Sequence, residues 1–235
     1  MIPPAKPSQP SAPRTDAELS EFLLRACHDL RGPLRSVRTY SEILQRDAAA
    51  QNSDPNPALG FIVSGSARAG LLIDGLTEYS LALQIDPGTF QPVPTDVILR
   101  AALAKLAQPL RENKAEVAYE GLPTVCGNAD RLMQLFEHLV DYALRNRGTD
   151  DPRIHIGAEL RSGSWLFRVA DNGPGIEAEF LERIFKPFER LHGKERHGPG
   201  LAICRVIIER HGGTIWAESS PDKGFAFCFT LPEDV

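Results

Sequence analysis

Two short segments of this 235-residue chain carry residue types that can do chemistry. The first is His28-Asp29-Leu30-Arg31-Gly32-Pro33-Leu34. A neutral imidazole is nucleophilic at physiological pH, and a carboxylate beside it can orient the ring or take its proton. A surface histidine next to a surface acid is commonplace, so the pair alone proves little. Pro33 adds weight, because it sits inside a helical pattern, removes the hydrogen bond to the Asp29 carbonyl and should bend the helix there. The second segment is Asp171-Asn172-Gly173-Pro174-Gly175-Ile176, directly after a strand pattern. Glycines at 173 and 175 let a backbone approach a ligand closely, and the aspartate offers a fixed acceptor. Further on, Gly198-Pro199-Gly200-Leu201 opens a helical pattern, and amides at the start of a helix can hold phosphates.

The elements that must position these residues follow from periodicity. Residues 1–14 are rich in proline and small polar types and read as a disordered tail. Thr15-Asp16-Ala17-Glu18 fits a capping box, and the first helix should run from there to about Asp47. Leu19, Leu23, Ala26, Leu30, Pro33, Val37, Tyr40 and Leu44 recur in steps of four and three, as a coiled-coil seam does. His28 stands two residues from both Ala26 and Leu30, about 200° around the helix from each, so it faces away from that seam. A second helix starts at Pro57 and carries Leu59, Ile62, Ser66, Ala69, Ile73, Leu76, Ser80 and Leu83 in the same spacing. A hairpin of two such helices leaves one apolar stripe uncovered, to be buried either in a homodimer joined as a four-helix bundle, the expectation here, or against the second domain.

Residues 15–85 therefore form one domain, 86–94 (Asp-Pro-Gly-Thr-Phe-Gln-Pro-Val-Pro) read as a linker, and 95–235 form a second domain. In the second, a helix over Asp96–Lys114 precedes short strands at Glu116–Tyr119 and Thr124–Cys126, and Asn128 caps a helix to Asn146. Hairpin signals follow around Ser162-Gly163 and Asp222-Lys223-Gly224, with a helix at Leu201–Arg210 between them. The whole is an α+β chain: a helical hairpin, then an α/β sandwich.

Composition excludes some functions. A net charge of −5 argues against a nucleic-acid footprint. No contiguous apolar run reaches the ~20 residues of a membrane span, and no signal peptide is visible. Cys27, Cys126, Cys204 and Cys228 lack metal-type spacing and read as reduced thiols, so a cytoplasmic location is expected.

The first segment resembles the H-box of sensor histidine kinases, His-Glu/Asp-Leu-Arg-x-Pro-Leu, at every position. Asp171 to Ile176 resembles the first glycine box of the ATPase fold shared by histidine kinases, Hsp90, gyrase and MutL. Phe185-Lys186-Pro187-Phe188 resembles the kinase F-box, Gly198 to Cys204 the second glycine box, and Arg210-His211-Gly212-Gly213-Thr214-Ile215-Trp216 points to the phytochrome-type subgroup. The resemblance covers about Glu21 to Pro232. It implies a protein-histidine kinase with His28 as phosphoacceptor and Asp29 as its helper. ATP would be held by Asp171 (on the adenine amino group), Gly173, Gly175, Ile176, Arg145, Lys186, Gly198, Gly200 and Leu201, and a response-regulator receiver domain would take the phosphate.

Two departures qualify this. The N-box, roughly Asn-Leu-[Leu/Ile]-x-Asn-Ala-x-Lys, is here His138-Leu139-Val140-Asp141-Tyr142-Ala143-Leu144-Arg145. In the family the second asparagine ligates Mg²⁺; tyrosine is a poor ligand for this hard ion, so no metal ligand is assigned and Mg-ATP binding is expected to be weak. The stretch Leu191–Leu201 is also about three residues short, and Pro199 removes one amide donor. Besides an active kinase, the sequence allows a phosphorelay module that passes phosphate through His28 without using ATP, or a scaffold that pairs with another kinase. A clamp-type ATPase fits poorly, since His138 stands where its catalytic glutamate would be.

Overall fold

The computed structural model describes residues 12–50, 57–186, 199–219 and 224–233. The chain divides into two compact units, Met1–Gln84 and Ile85–Val235.

The first unit is a hairpin of α1 (Ala12–Ala50) and α2 (Pro57–Leu83). α1 begins three residues ahead of the capping box and continues unbroken through Pro33, while α2 starts at Pro57, where a missing N–H costs no helical bond. Arg31 clips the two helices together: its Nη2 donates to Asp74 Oδ1 at 2.9 Å and to Thr77 Oγ1 at 3.1 Å. Among the described side chains of α1, Cys27 and Ser41 are buried, with Leu34 half-buried between them, one heptad apart. Leu30, Val37, Tyr40 and Leu44, read from the sequence as the seam, are exposed in the single hairpin. α1 thus carries two apolar stripes; one closes the hairpin and the other is left outside. On α2 the expected positions Ser66 and Ile73 are buried. By length and composition alone, Leu59–Leu83 would also pass for a membrane span, although small and polar residues interrupt its apolar ones.

The second unit is an α/β sandwich. Its five-stranded sheet has the order β2-β4-β5-β7-β6, from β2 (Glu116–Glu120), β4 (Arg153–Arg161), β5 (Ser164–Asp171), β6 (Ile215–Ser219) and β7 (Phe225–Pro232). All pairings are antiparallel except β2 with β4. A small ribbon joins β1 (Gln91–Pro94) to β3 (Thr124–Gly127). Part of the stretch that reads as a linker is therefore a strand, tolerable because a two-stranded ribbon uses only one edge of β1 and its prolines lack donors. The helices are α3 (Thr95–Lys105), α4 (Ala107–Glu112), α5 (Ala129–Arg145) and α6 (Gly200–Arg210). The single helix expected over 96–114 is broken at Leu106, and Pro109 lacks the N–H that a continuous helix would give to the Lys105 carbonyl. Asn128 caps α5 as expected, its side chain accepting from the Arg131 N–H at 3.1 Å.

The core lies between the helices and the sheet. Phe136 of α5 meets Phe167 of β5 and Phe229 of β7 edge-on, and those two rings stack at 4.8 Å. This aromatic block fixes α5 against the strands that end at the glycine turn.

Candidate functional site

His28 stands exposed on α1, one residue after buried Cys27. Its spacing from Ala26 and Leu30 predicts a position away from the seam; the structure turns it to solvent beside a residue that closes the hairpin. Asp29 belongs to the same helix, and its side chain lies outside the described residues.

In the second unit, β5 ends at Asp171, paired with Ile154 on one side and Phe225 on the other. Its carboxylate is already engaged: Oδ1 accepts from the Gly173 N–H at 2.7 Å. Burial pushes the acid up to about 6, against the pull of that backbone bond. A Cβ on Gly173 would lie 2.7 Å from Asp171 Oδ1 and 3.0 Å from the Asn146 carbonyl oxygen, so only glycine fits. Asn172 ties the turn to the strand start, its Oδ1 accepting from Arg153 N at 2.8 Å and its Nδ2 donating to the Asp151 carbonyl. Gly175 has φ +70°, and Ile176 N donates to Ser219 Oγ at 2.8 Å. Ser219 was not singled out in the sequence, and Gly224 only as a hairpin residue; Gly224 lets β7 start within touching distance of the Asp171 carbonyl, where a Cβ would stand 2.5 Å away.

α5 presents three residues in steps of four to this region. His138 lies against Gly200, the first residue of α6, with Nδ1 3.0 Å from where a Gly200 Cβ would be. Tyr142 is buried, its ring 5.4 Å from Phe225 and 5.1 Å from Phe227. Burial drives the Tyr142 phenol upward, and the Asp171 charge adds to that. Asn146 offers its carbonyl beside Gly173 and donates its side-chain amide to the Tyr142 carbonyl at 2.9 Å. One stripe of α5 therefore runs from the start of α6 to the glycine turn.

The remaining expected residues are more scattered. Gly200 and Leu201 form the first turn of α6, where backbone amides lack helical acceptors. Gly198 lies outside the described residues, as do Pro187, Phe188 and residues 189–197. Lys186 is exposed just before that segment, while Phe185 is buried and serves the core, with Arg205 over its ring at 5.0 Å. Arg145 is exposed and ion-paired with Asp141 at 2.7 Å.

These residues suit a nucleotide in two respects. A buried carboxylate with one oxygen fixed by a backbone N–H is a rigid acceptor for an exocyclic amine. A glycine-lined turn and a helix start supply close backbone and free amides. They do not suit Mg²⁺ on α5. Position 142 carries a buried aromatic ring, Asp141 is engaged by Arg145, and no group of three or more His, Cys, Asp or Glu suited to a metal exists among the described residues.

Residues 127–235 match the family model described as histidine kinase-, DNA gyrase B- and HSP90-like ATPase. The chain is 40% identical to cyanobacterial phytochrome A of Nostoc sp. over 93% of its length, and 37% identical to the phytochrome-like protein Cph1 of Synechocystis sp. over 93%. It spans 29% and 30% of those relatives' lengths. Among solved structures, histidine kinase ThkA in complex with response regulator TrrA matches 94% of this chain and 64% of that one, at 23% identity and a TM-score of 0.63, a likeness of fold. Residues 127–235, most of the second domain, therefore belong to the histidine kinase-, DNA gyrase B- and HSP90-like ATPase family.

Proposed function

We propose that this chain is the core of a two-component histidine kinase: the second domain binds ATP, His28 takes the γ-phosphoryl group, and an aspartate of a response-regulator receiver domain takes it from His28. The observation that carries this reading is the exposed imidazole of His28 on a hairpin helix, in a chain whose second domain is of the ATPase family. Relatives of the phytochrome type support it, as does the complex in which ThkA is joined to a response regulator.

In this reading a His28 ring nitrogen forms the new N–P bond, the bond to the leaving ADP oxygen breaks, and Asp29 orients the ring and receives its proton. Asp171 holds the adenine amino group, with Gly173, Gly175 and Ile176 shaping the turn beneath it. Gly198, Gly200 and Leu201 offer amides to the phosphates, and Arg145 and Lys186 supply positive charge near them. The protein works as a cytoplasmic homodimer. Leu30, Val37, Tyr40 and Leu44 on α1 and Phe61 on α2 are large apolar side chains left exposed by the single hairpin, and a second hairpin would cover them.

Incubation with γ-labelled ATP, beside incubation with a phosphorylated receiver domain, tests the proposal. Label from ATP on the protein supports the kinase. Label only from the receiver would replace it with a relay module.

A further inference from the structure

We propose that this domain holds its nucleotide without a divalent cation on α5, and that His138 meets the phosphate charge in the cation's place. The inference rests on the nucleotide reading above and concerns how that same site works.

His138, Tyr142 and Asn146 form one stripe along α5 and its C-cap. Steps of four residues put these on one face of α5, and each meets a different part of the site. The middle position, where the family carries its metal-binding asparagine, holds a phenol ring seated between Phe225 and Phe227. That ring is held by aromatic packing on β7, so clearing the position for a hydrated ion would open a cavity in the core. A phenol is also a single, weakly donating oxygen, and burial beside Asp171 holds it in the neutral form. The neighbouring polar side chains are held by other contacts. Asp141 is drawn to Arg145, and the Asn146 side-chain amide is turned to the Tyr142 carbonyl through its nitrogen.

The charge of a triphosphate still needs an answer. The other replaced position of the N-box supplies one. His138 packs its ring against Gly200, the first residue of α6, with Nδ1 3.0 Å from where a Cβ would be. The amides of that first turn and the positive end of the helix dipole therefore lie beside an imidazole from a second helix. An imidazole beside a helix start can donate to, or when protonated neutralise, a phosphate oxygen, which asparagine cannot do as a cation. Gly200 leaves the ring its room: a Cβ there would stand 3.0 Å from Nδ1, and the imidazole would have to give by a few tenths of an ångström. The two substitutions thus read as one exchange, in which the metal position is filled by an aromatic ring and a cation-forming side chain appears one turn earlier.

The test measures binding of ATP and of adenosine to the full chain, by calorimetry, in excess MgCl₂ and in EDTA, for wild type, His138→Gln, His138→Ala and Tyr142→Asn. Wild-type ATP affinity is expected to differ by less than about threefold between the two conditions. His138→Gln and His138→Ala should weaken ATP by about fivefold or more in EDTA while leaving adenosine unchanged, a split that a merely structural role would not give. Tyr142→Asn should create a Mg²⁺ dependence of about tenfold or more. A wild-type ATP affinity that drops about tenfold in EDTA overturns the proposal, as does an equal loss of ATP and adenosine binding in both folded His138 variants. Those outcomes leave the kinase reading standing. Failure of both ligands to bind wild type under either condition overturns that reading, and this inference with it.

Discussion

The Gly173 N–H donates to Asp171 Oδ1 at 2.7 Å, so the carboxylate at the end of β5 is oriented by its own turn before any ligand is present. The same contact leaves no room for a side chain at 173, since a Cβ would meet that oxygen at 2.7 Å and the Asn146 carbonyl at 3.0 Å. Gly173→Ala must therefore push the turn away from α5. The expected outcome is a loss of about 1–3 kcal/mol in stability and a larger proportional loss of nucleotide affinity, checked by urea denaturation and calorimetry.

Asp171 makes stability depend on pH in an unusual direction. Its folded pKa, about 6, lies above the ordinary carboxylate value because burial disfavours the charge. Between roughly pH 4 and 6 the folded state holds a proton that the unfolded state has released, so this group's contribution falls as pH rises and is fully lost above pH 6. Asp171→Asn keeps an oxygen for the Gly173 N–H and removes the buried charge. It should stabilise the domain at pH 7 by about 1–2 kcal/mol relative to wild type, show no gain at pH 4, and abolish nucleotide binding. Denaturation curves at the two pH values check the first two points.

His211 works in the opposite sense. It is buried at the end of α6, stacked on Phe90 at 4.4 Å. Its Nδ1 lies 2.7 Å from the Ile207 carbonyl and its Nε2 accepts the Asn128 N–H at 3.0 Å, which fixes a neutral ring with Nδ1 as donor. Burial lowers its pKa, opposed by the Ile207 bond. The stability it confers is present above about pH 6.5, the unfolded value, and declines as pH falls below that. His211→Ala should cost about 2–4 kcal/mol at pH 7.5, because it empties the core and strands both backbone partners, and distinctly less at pH 5. The difference between variant and wild type in urea midpoints at the two pH values reads this directly.

The exposed stripe of α1 carries the oligomeric state in this account. Val37→Glu with Leu44→Glu puts charges on side chains that the single hairpin leaves out, 45% and 55% exposed. Sedimentation should show a wild-type dimer and a monomeric double variant with its helix content retained. A dimer that survives both charges would place the interface elsewhere.

The legible parts of the molecule were those encoded locally. The His28 segment, the glycine turn after β5, the Asn128 cap and the Ser162-Gly163 hairpin turn all rest on neighbours within a few residues, and each lies where its pattern put it. Choices between equivalent surfaces were not legible. α1 carries a heptad through Cys27, Leu34 and Ser41 and another through Leu30, Val37 and Leu44, and periodicity does not say which one α2 covers. Proline content made β1 look like linker, because donors matter only on the edge that is paired. The contacts of His138 with Gly200, of Tyr142 with Phe225, and of Ser219 with Ile176 join residues distant in sequence. The altered N-box signalled a change on α5, while what each new side chain touches came only with the fold.

The most direct test of the account is the fate of phosphate at His28. After incubation of the full chain with γ-labelled ATP, mass spectrometry should find an acid-labile, base-stable phosphoryl group on His28 that chases onto a receiver-domain aspartate, and none in His28→Ala. Label that persists in His28→Ala, or a wild type that takes no label from ATP, would contradict it.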